Sequence, residues 1–247
     1  MRLLLLSSLL LFAYAKTTSA QGLTDEEMDP RVTEQYVDVP VVTASAKTGG
    51  APSDAIILFD GTSFKNWQKP NGSPAHWTLG ENAMTVASGG DIMTRDSFEN
   101  FQLHLEFRTP LVVKGDGQGR GNSGLFLQDR YEVQILDNYD NPTYANGQAG
   151  SIYKQTPPLV NACKAPGEWQ TYDVIYTAPI FSAKGTLLHP AYVTVIQNGV
   201  IVQNHTAIQG TTPFKGRGIY KPHGVAPIRL QDHGNPMSFR NIWLRPL

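Results

Sequence analysis

Among the residues whose side chains can move protons, two stand out as candidates, the carboxylic acid Glu132 and the imidazole His233. Glu132 lies in the stretch Tyr131–Ile135, YEVQI, where apolar residues alternate with Glu132 and Gln134. Side chains on a strand alternate between its two faces, so this pattern predicts one buried face and one face carrying a carboxylate and an amide. His233 is a second candidate because histidine titrates near neutral pH.

Polar side chains also occupy one face of other predicted strands. The clearest is Phe101–Arg108, FQLHLEFR, in which every second residue is apolar. One such row is typical of a solvated outer face. Taken together with tryptophans beside loops, the rows suit a curved sheet whose open face binds sugar, with rings stacking on the sugar and polar groups bonding its hydroxyls. The residues concerned are His104, Glu106, Arg108, Glu132, Gln134, Arg229, Gln231, His233, Arg240, Trp67, Trp77 and Trp169.

The distribution of turn residues predicts the fold class. The 23 glycines and 17 prolines are spread along the chain, which favours many turns between short strands. Asn198-Gly199 between two apolar runs is a strong hairpin signal. No segment has the pattern of a long amphipathic helix. The sequence therefore predicts an all-β protein built as a two-sheet antiparallel sandwich.

Composition and the N-terminal segment suggest where the protein acts. The 20 basic and 21 acidic residues balance, which argues against nucleic acid or an anionic membrane surface as the main partner. Residues 1–20 predict a cleaved signal peptide, with plausible cleavage before Lys16 or Gln21. We therefore expect a periplasmic or secreted protein. The apolar run is shorter than the ~20 residues needed to span a bilayer, so we expect no stable membrane anchor after cleavage. Residues 21–54 read as a leader or linker, and residues 55–247 as the domain.

Metal and nucleotide motifs are weak in this sequence. The histidines lack the spacing of a zinc site, and the glycine-rich loop GDGQGRG at 115–121 is not followed by the ending of a phosphate-binding loop. Asp137, Asn138 and Asp140 could hold calcium, although the spacing differs from that of an EF-hand. The sequence thus predicts no cofactor and leaves a divalent metal, calcium or another, open.

Several ordered motifs resemble a known family. Between about Ile56 and Leu247 the sequence is similar to the DUF1080 family, whose members are also named 3-keto-disaccharide hydrolases. The resemblance implies a jelly roll similar to concanavalin and to laminarinase-type glycosidases, with an oligosaccharide or glycoside as substrate. The motifs that carry it are GNSGLFLQDRYEVQILD (121–137), GSIYK (150–154), PGEWQTYDVIY (166–176), QNGVIVQN (197–204) and IRLQDHGNPMSFRNIWL (228–244).

The resemblance also implies a reaction on sugars oxidised to a ketone at C3. Such a ketone acidifies the hydrogen at C2, so a base can remove it, the C1–oxygen bond can break by β-elimination, and water can add back. Our hypothesis makes His233 the base or proton shuttle and Glu132 its carboxylate partner or the acid, while Arg108, Lys154 or Arg240 faces the enolate. The expected substrate-binding residues are Glu106, Arg108, Gln134, Asp137, Tyr153, Lys154, Trp169, Gln231 and Arg240.

Two other functions remain open from the residues alone. A conventional glycoside hydrolase needs two carboxylates about 5–10 Å apart, and the available partners of Glu132 are Glu106 and Asp137. Asp137 would need a bulge to reach the face of Glu132, because an odd separation otherwise places the two on opposite faces. A non-catalytic carbohydrate-binding module is the other alternative, since related architectures include lectins.

Overall fold

The structure is a computed structural model that describes residues 24–25 and 28–247. The described residues fall into two compact units, one that ends at residue 41 and one that spans residues 42–247. In the first unit, a short 3-10 helix at Pro30–Thr33 begins after Asp29, whose side chain accepts a hydrogen bond from the Arg31 amide. Residues 42–54, assigned to a leader from the sequence, lie in the second unit. The predicted signal peptide lies outside the described residues, and none of the helices described is long and apolar enough to cross a membrane.

The second unit consists of short strands joined by turns, with two further 3-10 helices at Gly117–Gly119 and Ala145–Gly147. In chain order the strands are β1 (Ile56–Phe59), β2 (Trp67–Gln68), β3 (Thr78–Gly80), β4 (Ala83–Thr85), β5 (Ile92–Thr94), β6 (Phe101–Arg108), β7 (Ser123–Leu127), β8 (Tyr131–Ile135), β9 (Trp169–Thr177), β10 (Ile180–Phe181), β11 (Leu187–His189), β12 (Tyr192–Gln197), β13 (Val200–Ala207), β14 (Arg229–Leu230) and β15 (Ser238–Pro246).

These strands form two main antiparallel sheets. The larger has the order β13-β12-β9-β6-β15-β4-β3, with β1 also paired to β15, and the smaller has the order β2-β5-β14-β7-β8. Strands β10 and β11 form a separate hairpin. The apolar alternates of both main sheets share one core cluster. The Tyr172 hydroxyl also donates a hydrogen bond of 2.7 Å across the core to the Gln134 carbonyl. The predicted all-β, two-sheet jelly-roll sandwich is confirmed.

The alternation of FQLHLEFR explains how β6 forms. Phe101, Leu103, Leu105 and Phe107 are fully buried in the core, so Glu106 and Arg108 point away from it. The hairpin predicted at Asn198-Gly199 also forms, and both turn residues have positive φ values of 53° and 82°. Such values suit the tight turn that joins twisted antiparallel strands.

The predicted role of two tryptophans in an open sugar-binding face is wrong. Trp67 is 0% exposed and Trp77 is 4% exposed, and both belong to the core. The indole of Trp67 donates to the Leu58 carbonyl and that of Trp77 to the Gly90 carbonyl. Because a buried indole needs a partner for its N–H, these bonds fix the rings inward. The polar loop between the two tryptophans suggests that their rings are exposed, but both rings point into the core.

Candidate functional site

Strand β8 carries Glu132 on the outer face of the five-stranded sheet. Tyr131, Val133 and Ile135 fill the core, so the intervening Glu132 and Gln134 point outward. The outward side is nevertheless covered, and Glu132 is only 5% exposed. Its backbone amide donates a 3.0 Å hydrogen bond to the Thr212 hydroxyl, which ties the loop that follows residue 210 to the strand. Glu132 is thus a carboxyl group held at the bottom of a covered surface.

Gly124 on the neighbouring strand makes room for this carboxyl. Gly124 pairs with Gln134 in the β7–β8 register, so Glu132, two residues before Gln134 on β8, is its diagonal neighbour. A β-carbon at residue 124 would stand 2.5 Å from Oε1 and 3.1 Å from Cδ of Glu132. No real β-carbon occupies such a position, so a side chain here would displace the carboxyl. The glycine therefore determines where the acid lies.

A small cleft of about 110 Å³ opens above Glu132. Glu132 is its only carboxylate among the described residues, and the other side chains are polar or aromatic. The walls come from β7, β8, the chain after β14 and two loops. The lining residues are Asn122, Phe126, Glu132, Gln134, Tyr153, Thr212, Phe214, Gln231 and His233. Five residues singled out from the sequence therefore meet here, namely Glu132, Gln134, Tyr153, Gln231 and His233.

Burial sets the acidity of Glu132. It raises the pKa of this carboxyl from 4.5 to about 8, with Arg229 lowering the pKa and Asp91 raising it to a smaller extent. The effect of Arg229 is limited because its guanidinium pairs with both Asp91 and Asp129. It also stacks on the Phe126 ring at 3.6 Å. Glu132 is therefore protonated at neutral pH, and its proton is exchangeable near the pH at which enzymes work.

His233 and Gln231 lie on a turn that Asp232 fixes. The Asp232 carboxylate accepts hydrogen bonds from the amides of Gly90 and Gly234, at 3.0 and 2.9 Å. His233 is exposed at the mouth of the cleft. Gln231 Oε1 is buried and has no hydrogen-bond partner within the described chain. Buried acceptors are nearly always satisfied, so this oxygen is available to a donor that enters the cleft, such as a sugar hydroxyl.

Tyr153 forms the opposite wall of the cleft, and Lys154 follows it in the chain. The Tyr153 amide donates to the Glu132 carbonyl at 3.1 Å, and its hydroxyl lies 2.8 Å from that of Tyr144. Lys154 has a positive φ of 61°, and its amide donates to the Asn146 carbonyl. Its ammonium lies 4.7 Å from the Tyr144 ring centre and 5.6 Å from that of Phe214. A cation is thus held by aromatic rings at the edge of the cleft.

Four other predicted residues lie on the opposite side of the sandwich. Glu106 and Arg108 on β6 and Arg240 on β15 point outward from the eight-stranded sheet, where Arg240 Nε donates to Glu106 Oε2 at 2.6 Å. Arg108 and Arg240 both stack on the Trp169 ring. They form a polar cluster of their own. Alternation along a strand predicts the face but not the sheet, so the sequence grouped residues that the fold separates.

Residues near Gly49 cover part of this opposite face. His104 Nδ1 lies 2.6 Å from Asp173 Oδ1, and its ring stacks on Trp243 at 5.4 Å. Asn241, with a positive φ at a bulge in β15, donates to the Gly49 carbonyl and to Glu106. Burial acts to lower the pKa of His104, but the hydrogen bond to Asp173 and the Glu106 carboxylate, 3.9 Å from Nε2, outweigh it and raise the pKa to about 9. The cluster is a buried charge network beneath the segment around Gly49.

Asp137 also lies outside the cleft. Its Oδ2 accepts a 2.8 Å hydrogen bond from Arg120 Nε, and both side chains are largely buried. Asn138, also proposed for calcium, has a protein partner as well, since its Oδ1 accepts from the Ala149 amide. In the described residues, no group of three or more histidine, cysteine or acidic side chains could hold a metal ion.

Several cleft residues were not found from the sequence. Asn122 and Phe126 belong to the stretch that drew attention to Glu132, and the short turn between β7 and β8 fixes the register that places Phe126 opposite Glu132. The register could therefore have been used to predict from the sequence that Phe126 lies beside Glu132. Thr212 and Phe214 lie in a loop without any periodic pattern, so only the folded chain brings them to the cleft.

Comparison with known proteins gives three results. The family profile of the 3-keto-alpha-glucoside-1,2-lyase-like domain matches residues 54–245. A 3-keto-disaccharide hydrolase of Bacteroides thetaiotaomicron is 29% identical over 178 residues, which cover 56% of this chain and 57% of that protein. The chain therefore spans little more than half of this curated relative.

Two crystal structures from Parabacteroides distasonis ATCC 8503 are also similar, and both are of provisionally assigned glycosyl hydrolases. One is 52% identical with a TM-score of 0.85, covering 88% of this chain and 96% of that chain. The other is 18% identical with a TM-score of 0.59, covering 84% and 100%. The second likeness concerns the fold alone.

Proposed function

This chain belongs to the family of 3-keto-alpha-glucoside-1,2-lyase-like domains, and on that premise we propose that it cleaves 3-keto-glycosides at the cleft above Glu132. The reaction is β-elimination followed by addition of water. The observation that carries the proposal is a buried carboxyl group with a pKa of about 8 that shares a polar cleft with an exposed histidine. The named activity of the Bacteroides relative agrees with this substrate class.

The first step removes the C2 hydrogen of the 3-keto sugar. His233 at the cleft mouth takes this proton, and the electron pair of the C2–H bond forms an enolate with the C3 ketone. Of the three cations considered from the sequence, only Lys154 lies beside the cleft, where it can stabilise the developing negative charge. Arg108 and Arg240 are held against Trp169 on the other face.

The second step breaks the C1–oxygen bond. The enolate pair forms a C1–C2 double bond, the glycosidic oxygen leaves, and protonated Glu132 donates its proton to that oxygen. Water then adds across the double bond, which gives net hydrolysis, and solvent returns His233 and Glu132 to their starting states. The cost of burying Glu132 keeps it in the acid form that this step needs.

The positions of the other acids favour this route over a conventional two-carboxylate hydrolysis. Glu106 is paired with Arg240 on the opposite outer face, and Asp137 is paired with Arg120 in a different cavity. Neither faces Glu132. Asp91, which does act on the pKa of Glu132, is paired with Arg229. In this proposal the imidazole of His233 takes the place of the second carboxylate that glycosidases use.

Incubation with 3-keto-glucosides and with the same sugars unoxidised tests the proposal. We expect release of the leaving group from the oxidised substrate alone, with exchange of the C2 hydrogen in deuterated water. His233→Gln and Glu132→Gln should each lose about 10²–10⁴-fold in kcat. The matched variants His76→Gln and Arg240→Gln, both outside the cleft, should retain the wild-type rate.

Other outcomes would replace the proposal. Equal cleavage of unoxidised glycosides would establish conventional hydrolysis. Sugar binding without turnover of either substrate would establish a carbohydrate-binding module. We also propose export of the protein, on the basis of the sequence of residues 1–20 alone; release of the mature chain to the periplasm or medium, with its N-terminus determined, tests this.

A further inference from the structure

A second cavity of about 420 Å³ lies beside the cleft. We propose that it receives the leaving group of the substrate and that it favours an apolar group, aryl or alkyl, over a second sugar. This inference rests on the proposed function for the position of the sugar ring. The cavity lies between the loop 110–114 and the turn 234–236, and Arg120 and Asp137 line its floor.

The wall of this cavity consists of exposed apolar side chains. Leu111 is 76% exposed, Val112 is 69% exposed and Val113 is 46% exposed, and Pro236 faces them across the cavity. Single exposed apolar residues are ordinary on protein surfaces, but consecutive ones at the edge of a cavity mark a binding surface. An apolar ligand would remove this surface from water at about 25 cal/mol per Å² of area buried.

The wall is held in place before any ligand arrives. Gly167 donates its amide to the Thr109 carbonyl at 3.1 Å, at the base of the loop. A β-carbon at residue 167 would lie 2.8 Å from Cδ1 of Leu111, so the loop packs on the bare glycine. Leu111 is therefore positioned by its backbone and by this contact even though most of its side chain faces water.

The floor is polar but electrically balanced. Arg120 pairs with Asp137 at 2.8 Å and donates to the Tyr139 carbonyl, so both charges are already compensated. Gly121 packs closely against Asp137, since a β-carbon at residue 121 would lie 2.8 Å from Cβ of Asp137. This ion pair leaves no free charge on the floor, whereas the exposed Lys114 adds a cation at the rim, so the preference for an aryl or alkyl group rests on the apolar wall.

The cavity and the cleft adjoin each other. Gly121 and Gly234 line the cavity, while their chain neighbours Asn122 and His233 line the cleft. The Asn122 amide donates a 2.6 Å hydrogen bond to Asn235 Oδ1, which joins the two loops at the boundary. A substituent on C1 of a sugar beside His233 can therefore extend over Gly234 toward Pro236.

Size shows that the cleft needs a neighbouring cavity to hold a whole glycoside. The cleft alone, at about 110 Å³, is below the roughly 300–1,000 Å³ typical of ligand sites, whereas the second cavity falls within that range. A third cavity, of about 470 Å³, shares Tyr153 with the cleft and is lined by Lys154 and Arg217. That cavity would suit an anionic or hydroxylated group, and it is the competing direction for the leaving group.

The test compares leaving groups on one sugar. Methyl, 4-nitrophenyl and octyl 3-keto-glucosides, in both anomers, are assayed with the wild type and with the double variant Leu111→Ser/Val112→Ser. We expect the variant to lose roughly tenfold or more in kcat/KM, mainly through KM, for the aryl and octyl substrates. The methyl substrate should change by less than about twofold. Leu188→Ser, at a similarly exposed site on β11, is the matched control.

A binding measurement separates this inference from the proposed function. Titration calorimetry with octyl glucoside needs no turnover, and a Kd that rises in the double variant but not in Leu188→Ser supports the cavity even if no 3-keto substrate is cleaved. An unchanged Kd and unchanged kcat/KM would overturn the inference. So would a preference for an anionic leaving group that Arg217→Gln removes, which would place that group in the third cavity.

Discussion

The carboxyl of Glu132 lies directly over Gly124, and a β-carbon on residue 124 would stand 2.5 Å from its Oε1. The position of an acid is thus determined by the absence of a side chain on the neighbouring strand. Gly124 also lies near Phe126, whose ring would be 2.9 Å from the same β-carbon. Both side chains are buried, with Glu132 5% and Phe126 6% exposed, which restricts where either can move.

Gly124→Ala should therefore reduce turnover without changing the chemical groups of the cleft. We expect kcat to fall by about 10–10²-fold, since a displacement of about 1 Å at a reacting group has that effect. Steady-state rates on a 3-keto-glucoside measure this fall in kcat. Gly80→Ala is the control, because Gly80 also lies in a strand and a β-carbon there meets nothing within 4 Å. A Gly124→Ala enzyme as fast as Gly80→Ala would show that the carboxyl need not be held at this point.

The pH dependence of the rate should reflect the acid form of Glu132. Because burial raises the pKa of this group to about 8, the fraction that can donate a proton falls above that pH. We expect kcat/KM to fall with a limb near pH 8, about tenfold per pH unit beyond it. Glu132→Gln should lose this limb along with most of the rate. A rate that rises through pH 8 would instead make Glu132 a base.

The same carboxyl should make stability depend on pH. Its folded-state pKa lies above the ordinary 4.5, so the folded protein holds the proton more tightly than the unfolded chain does. This favours folding below pH 4.5, and the benefit is lost as the pH rises to about 8. Between pH 4.5 and about 8, the free energy of unfolding of Glu132→Gln should therefore rise relative to that of the wild type, by up to about 1.4 kcal/mol per pH unit. Urea unfolding at pH 5, 7 and 9 measures the gain, and a constant difference would contradict it.

His104 should give a stability change with a different pH window. Its folded pKa of about 9 lies above the ordinary 6.5, because the hydrogen bond to Asp173 and the nearby Glu106 carboxylate outweigh burial. The stabilisation is complete below pH 6.5 and is lost as the pH rises through about 9. His104→Gln should thus cost on the order of 1–3 kcal/mol more at pH 6 than at pH 10. The exposed His76→Gln is the control, and equal costs at both pH values would mean that folding does not raise the pKa of His104.

Features that depend on neighbouring residues can be predicted from this sequence, whereas features that depend on the pairing of distant strands cannot. Alternation of side chains is local, so the bounds of β6 and the outward direction of Glu132 follow from the sequence. Membership of a sheet is not local, because it depends on how distant strands pair. The sequence therefore placed Glu106 and Arg240 beside Glu132, whereas β6 and β15 belong to the other sheet. Thr212 reaches the cleft through a loop whose course no periodicity reveals.

The separation of the two outer faces has a practical consequence. The segment around Lys47 lies over His104 and Trp243 on the eight-stranded sheet, while the cleft opens on the five-stranded sheet. A dye, an affinity handle or a solid support attached at the exposed Lys47 would therefore leave the entrance beside His233 open. The fold thus provides a point of attachment for immobilising the protein with its cleft accessible to substrate.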